Sequence, residues 1–170
     1  MKNFKSIFIF AFFAMFFFNA CGPTKQDAID YNDKIIREQK KIVQAESDLV
    51  KAIKNTSIKV NTLEGLRDEL SAQIDESKKV FESLDKIGGS TDFKDASLQF
   101  ADAYKEVVDG EYAEWLSTLD IPDSLVTDAI IDREEELVFL INNKLDKANN
   151  EFVGAQKDFA AKFKIILADY

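Results

Sequence analysis

Between Asp27 and about Thr56, apolar residues recur every seven positions in two adjacent columns. Ala28, Ile35, Ile42 and Leu49 form one; Ile29, Ile36, Val43 and Val50 form the other. On a helix the two columns make one broad apolar face, wider than the seam of a two-stranded coiled coil, so the first helix should pack against two neighbours at once. A second face follows in Leu63, Leu66, Leu70, Ile74, Phe81 and Leu84, at spacings of three, four and seven. Asn61, with Glu64 three residues on, has the form of a reciprocal N-cap for this helix. Gly88-Gly89 ends it, because glycine tolerates the positive φ with which a chain leaves a helix.

Ser90, Thr91 and Asp92 can cap a third helix outlined by Phe93, Ala96, Phe100, Tyr104, Val107 or Val108, Trp115 and Leu119. Gly110 is a weak point in it, costing ~1 kcal/mol relative to alanine. Asp120-Ile121-Pro122-Asp123 should close this helix and open the fourth, since proline fits a first turn. The fourth stripe runs through Ile130, Leu137, Ile141, Ala148, Phe152, Ala155, Phe159, Phe163 and Ile166. About 45 residues would span roughly 65 to 70 Å, against ~40 to 45 Å for the other three. Either the helix bends or breaks near Asn149, Asn150 or Gly154, or one end projects beyond the bundle; a bend in an essentially continuous helix is the favoured form. Short connections make the expected fold all-α, an antiparallel up-down four-helix bundle over residues 27–170 with a long C-terminal helix. An elongated pair of coiled-coil hairpins is the other arrangement the pattern allows.

The first 20 residues belong to a different pattern. Lys2 and Lys5 precede an apolar run from Ile7 to Phe18, well short of the ~20 residues that span a bilayer. A basic start, a short apolar centre and a small residue before a break is the layout of an export signal. The break reads Phe18-Asn19-Ala20-Cys21, which resembles the lipobox of bacterial lipoproteins, although Phe18 stands where leucine is commonest and Asn19 where a small residue is usual.

The resemblance implies a signal peptide over 1–20, a lipidated Cys21 and a short tether over 21–26. Such an anchor, at ~0.8 kcal/mol per buried methylene, holds a domain stably on a membrane. It also implies the bacterial cell envelope. Gly22 stands where enteric lipoproteins retained at the inner membrane carry aspartate, which leans the assignment to the outer membrane. A weaker likeness lies in Tyr31-Asn32-Asp33-Lys34-Ile35-Ile36 with Gln39, which is similar to a segment near the mature start of uncharacterised helical surface lipoproteins of bacteria. It implies no catalytic residues; Asn32 and Gln39 would make polar contacts between helices.

Composition then narrows the function. The chain has 31 acidic and 22 basic residues, a net charge of −9; without Lys2 and Lys5 the balance is 31 against 20, or −11. An acidic surface of this kind repels nucleic acid and anionic lipid. Eight of the fifteen phenylalanines lie within the first 18 residues, so the aromatic content of the remainder is ordinary. There is no histidine, which removes the commonest general base and metal ligand. The one cysteine would be consumed by the lipidation that the resemblance implies, and no Gly-rich phosphate loop, nucleophile elbow or EF-hand loop is present.

No catalytic residue, metal site or cofactor is therefore expected. The acidic residues Asp128, Asp132, Glu135 and Glu136 read as solvating charges. Tyr104, Tyr112 and Trp115 read first as core and core rim, and alternatively as a contact for a partner or apolar ligand. The expected function is a membrane-anchored binding or envelope-organising module that is not an enzyme, with an envelope protein, glycan or lipid as partner. The alternatives are a ligand-carrying or hydrolytic protein with a carboxylate and tyrosine pocket between helices, and a mechanical spacer.

Overall fold

The structure is a computed structural model and describes residues 22–167. The expected signal peptide and Cys21 lie outside the described residues. Among those that are described, all regular structure is helical: α1 (Lys25–Ile53), α2 (Val60–Glu82), α3 (Asp92–Val107), α4 (Ala113–Leu119) and α5 (Asp128–Phe163). A π-helical turn, Val108–Tyr112, joins α3 and α4 without a break, so five segments make four helical rods.

α1 starts at Lys25, two residues earlier than the hydrophobic columns suggest. Thr24 forms a capping box: its hydroxyl accepts from the Asp27 amide at 3.1 Å, and the Asp27 carboxylate accepts from the Thr24 amide at 2.8 Å. These bonds hold the Asp27 carboxyl below the usual carboxylate range. The two columns of α1 are buried unequally. Ala28, Ile35, Ile42 and Leu49 are fully enclosed, whereas Ile29, Val43 and Val50 flank the core.

The expected Asn61 cap of α2 is not formed. The helix begins at Val60 with Lys59 at the cap position and no side-chain capping bond. Ile58 and Leu63 instead meet across the helix start, in a small apolar cluster with Ala52 and Leu116. That is a hydrophobic staple, and it sets the cap position at Lys59, two residues before Asn61.

The third rod carries the largest departure from simple periodicity. The π turn surrounds Gly110, the residue with the lowest helix propensity there. Its extra residue steps the buried stripe forward by one position: Phe93, Phe100, Tyr104 and Val107 are buried before it, then Val108, Tyr112 and Leu116. Both Val107 and Val108 are therefore enclosed. Leu116 takes the core position that strict α spacing assigns to Trp115, and Trp115 is only half-buried.

The Pro122 region is also corrected. Pro122 precedes a short 3-10 turn, Asp123–Leu125, and α5 opens only at Asp128. α5 then runs unbroken for 36 residues, about 54 Å, through Asn149, Asn150 and Gly154. It ends sooner than the stripe suggests, because Lys164 turns left-handed at φ 54° and the Ile165 amide closes onto Ala160 O at 3.0 Å. Ile165 thereby folds into the core and Ile166 is left 92% exposed rather than continuing the apolar face.

Cross-helix contacts fix the registers. Along α3, the π turn and α4, the residues Phe93, Phe100, Tyr104 and Glu114 meet Phe159, Phe152, Asn149 and Arg133 of α5 in reverse order, so these rods are antiparallel. α2 meets α3 antiparallel as well, through Asp75–Lys105 at 3.1 Å and the Lys94 ammonium donating to Glu82 O at 2.7 Å. Polar contacts that join α1 to the rest include Asn32 to Gln156, Glu38 to Ser77, and Glu46 to Tyr112.

Gly88 locks one end of this assembly. Its φ is +56°, and a Cβ there would lie 2.7 Å from Phe163 Cζ; neighbouring Gly89, at φ +80°, has open space. Gly88→Ala is expected to cost about 2 kcal/mol, from left-handed strain plus displacement of the Phe163 ring, and Gly89→Ala about 1 kcal/mol from strain alone. Urea denaturation of the two variants checks the difference; equal costs would mean that Phe163 does not rest on the Gly88 turn.

Candidate functional site

Polar groups inside a helical core must be paired, and the buried side chains of Tyr112, Tyr104, Asn32, Gln156 and Glu38 each have a partner on another helix. Tyr112 and Tyr104 are 1% and 3% exposed. The Tyr112 hydroxyl donates to Glu46 Oε1 at 2.6 Å, tying the π turn to α1. Asn149 Nδ2 donates to the Tyr104 hydroxyl at 3.0 Å and to Leu145 O at 2.8 Å, so this residue anchors α5 to α3 rather than interrupting the helix. Trp115 stacks on Tyr112 with ring centroids 6.2 Å apart. Of the three aromatic residues singled out from sequence, Tyr112 and Trp115 meet while Tyr104 packs on Phe100; the two tyrosines are core members and only Trp115 reaches the surface.

Burial pushes the Tyr104 hydroxyl up to about 12, against a smaller opposing effect of the Asn149 bond. Burial raises Tyr112 further, reinforced by the carboxylate of Glu46 that accepts its proton. Both phenols are thus neutral donors or acceptors at physiological pH. A tyrosinate nucleophile or base would need the opposite shift.

Two more polar pairs cross the interior. Gln156 Nε2 donates to Asn32 Oδ1 at 3.0 Å between two buried amides. This is the interhelical role expected for Asn32. Buried Glu38 accepts from the Lys41 ammonium at 2.9 Å and from the Ser77 hydroxyl at 3.3 Å, and Gln73 donates to Ser77 at 3.0 Å. Both oxygens of the Glu38 carboxylate accept bonds in this set, which ties it to Ser77 of α2. Sequence periodicity does not find Glu38, since it lies beside the Ala28–Leu49 column on the side away from the second column, and only the tertiary register supplies Ser77.

The enclosed space lies elsewhere, at the end where α1 begins and α5 finishes. A cleft of about 200 Å³ opens between Tyr31, the Ile87–Ser90 turn and the last turns of α5. Its wall is aromatic: Tyr31 stacks on Phe159 at 5.5 Å, and Phe159 meets Phe93 at 5.2 Å and Phe163 at 4.8 Å. The Tyr31 hydroxyl is buried there with no hydrogen-bond partner, and burial with the nearby charges of Asp95 and Asp85 pushes it up to about 12. At this volume, below the ~300 Å³ at which drug-sized ligand pockets begin, the cleft suits a few waters or one small ring. Sequence reasoning passed over it because its walls come from three separate segments, each with an ordinary helical stripe.

Among the described residues, no group of three acidic or cysteine side chains is arranged to hold a metal ion. No helix among them is long and apolar enough to cross a membrane. Comparisons with protein-family models, with curated proteins and with solved structures each return no match.

Proposed function

We propose that the chain is a bacterial lipoprotein: residues 1–20 are a cleaved signal, Cys21 carries the lipid, and an antiparallel up-down four-helix bundle acts from the outer membrane as a binding or envelope-organising module. The observation that carries this reading is the string Phe18-Asn19-Ala20-Cys21, set only three residues before the Thr24 cap of α1. The antiparallel registers of α2 with α3 and of the α3–α4 rod with α5 support the bundle topology. A non-enzymatic role is supported by the absence of histidine from the sequence and by the engagement of Tyr104, Tyr112 and Glu38 in structural bonds.

The short link has a geometric consequence for the proposed anchor. Three residue steps reach at most about 11 Å, so a lipid on Cys21 holds the α1 start close to the bilayer surface. The Gly88 turn and Phe163 share that end of the molecule, since Gly88 packs on Phe163. The start of α5 and the Pro122 connection then lie about 50 Å away, at the membrane-distal end.

Metabolic labelling with a fatty-acid analogue tests the anchor. Wild-type chain is expected to take up label and fractionate with membranes, and Cys21→Ser to lose both. Continued labelling of the serine variant would sink the lipoprotein reading.

A further inference from the structure

Exposed apolar side chains are concentrated at the end of the molecule opposite α1's start. Six large hydrophobic residues stand out among the described residues, and four of them, Leu125, Val126, Ile131 and Phe139, belong to the Pro122 connection and the first three turns of α5. Phe139 and Leu125 are 65% and 64% exposed. Buried aromatic and leucine side chains drive helical packing, so leaving these two in water forgoes stabilisation that a few residues' shift in pattern would recover.

The charge around them has one sign. From Asp120 to Asn143 the chain has seven acidic residues, Asp120, Asp123, Asp128, Asp132, Glu134, Glu135 and Glu136, and one basic residue, Arg133. Arg133 is held by Glu114 at 2.7 Å and by Glu136, so its charge is already compensated. At 100° per residue, Asp128, Asp132, Glu135, Glu136 and Phe139 share an arc of about 100° on the face of α5 turned away from the buried Leu137 and Ile141. Phe139 thus sits beyond a run of carboxylates on one exposed stripe, with Ile131 at its margin.

We infer that this acidic and apolar surface docks a positively charged amphipathic segment of another protein, with Phe139 and Leu125 as apolar anchors and the surrounding carboxylates steering and orienting the cation-bearing face. Charge selects this occupant over the others. A second copy presenting the same stripe would bring like charges together, and anionic lipid or nucleic acid would be repelled for the same reason. The inference deepens the binding role proposed above and rests on it for orientation, because the Cys21 anchor leaves this end facing away from the membrane. Recognition itself depends only on the surface.

The test uses the full lipidated chain in neutral detergent and a displayed library of random dodecapeptides. Enriched peptides are expected to combine Lys or Arg with large apolar residues, and to bind about tenfold or more weakly to Phe139→Ser and to Leu125→Ser. Raising the salt to about 0.5 M should weaken them too. Ile166→Ser, which removes a still more exposed apolar side chain at the other end, should leave binding unchanged. Cys21→Ser should also bind as the wild type does, which separates failure of the anchor from failure of the surface. Circular dichroism of each variant checks that the helices persist.

Enrichment of acidic or uncharged peptides, or no enrichment, would overturn the inference. So would binding indifferent to Phe139 and Leu125, since charge alone would then explain it. Concentration-dependent dimerisation lost in Phe139→Ser, read by sedimentation, would assign the surface to a second copy and overturn it as well.

Discussion

Phe152→Ala is expected to lower the free energy of unfolding by about 3 to 5 kcal/mol, a large share of the 5 to 15 kcal/mol that holds a domain of this size. Phe152 is 2% exposed, and its ring touches Phe93 at 5.5 Å and Phe100 at 5.1 Å. Phe100 continues to Tyr104 at 4.5 Å and Phe93 to Phe159 at 5.2 Å, so Phe152 is the link between two aromatic series. Truncation leaves a cavity that neighbouring rings cannot fill, because each is held by its own contacts on α3 or α5. Phe139→Ala is the matched control: the same substitution on the same helix, at an exposed site, should change stability by less than about 0.5 kcal/mol. Urea denaturation followed at 222 nm separates the two. A Phe152→Ala cost below about 1 kcal/mol would mean that α5 does not present this face to α3.

Contrasts of this kind mark what could be read from the chain alone. The buried column of α1, Ala28 to Leu49, follows directly from a seven-residue repeat, and so does the placement of Phe93, Phe100 and Phe152 in the core. Helix ends were less legible, because each is a competition between local options. Asn61 is a good cap, but the Ile58–Leu63 contact sets the start of α2 earlier; Ile166 fits the stripe, but Lys164 has already turned the chain out of the helix. The π turn has almost no local signature. Gly110 indicates weakness there, but only packing decides that the weakness is used to move the buried stripe from Trp115 to Leu116.

Site chemistry divides along the same line. The lipobox-like string is linear and depends on no tertiary contact, so it is wholly readable in sequence. The partners of the tyrosines are not: Glu46 lies 66 residues from Tyr112, and Asn149 lies 45 from Tyr104. Acidic residues along α5 read as simple solvating charge until Leu125 and Phe139 are found exposed beside them. An exposed position in a four-helix fold is a tertiary property, and the amphipathic pattern alone would have given Phe139 no special standing.

Alkaline unfolding between about pH 10 and 12 is the second large expected effect. Tyr104 and Tyr31 are each pushed up to about 12 by burial, and Tyr112 is raised further, whereas in the unfolded chain all three titrate near 10. A raised folded-state value means that the fold favours the protonated phenol. The stabilisation is therefore complete below pH 10 and is lost as pH rises through the folded-state values. For Tyr104, almost fully buried, a shift of this size corresponds to roughly 2 to 3 kcal/mol at high pH. Tyr112 adds a term of the same sign, because its phenolate would face the Glu46 carboxylate.

Absorbance at 295 nm and ellipticity at 222 nm are expected to change together between about pH 10 and 12, since in that range these phenols ionise more readily in the unfolded chain than in the fold. Lys78 and Lys144 are also raised by their carboxylate partners, but their ion pairs are largely solvated and contribute little. Tyr104→Phe isolates the phenol term. It removes one titrating group while keeping the ring against Phe100, so the alkaline midpoint should move upward. Tyr112→Phe should lower stability at neutral pH by about 1 kcal/mol, as Glu46 loses its donor, yet lose less of what remains above pH 10. The chain has a fourth tyrosine, Tyr170, so ionisation of more than one tyrosine near pH 10 with helicity retained would contradict both the burial of these hydroxyls and the core registry of α1, the π turn and α5 on which it depends.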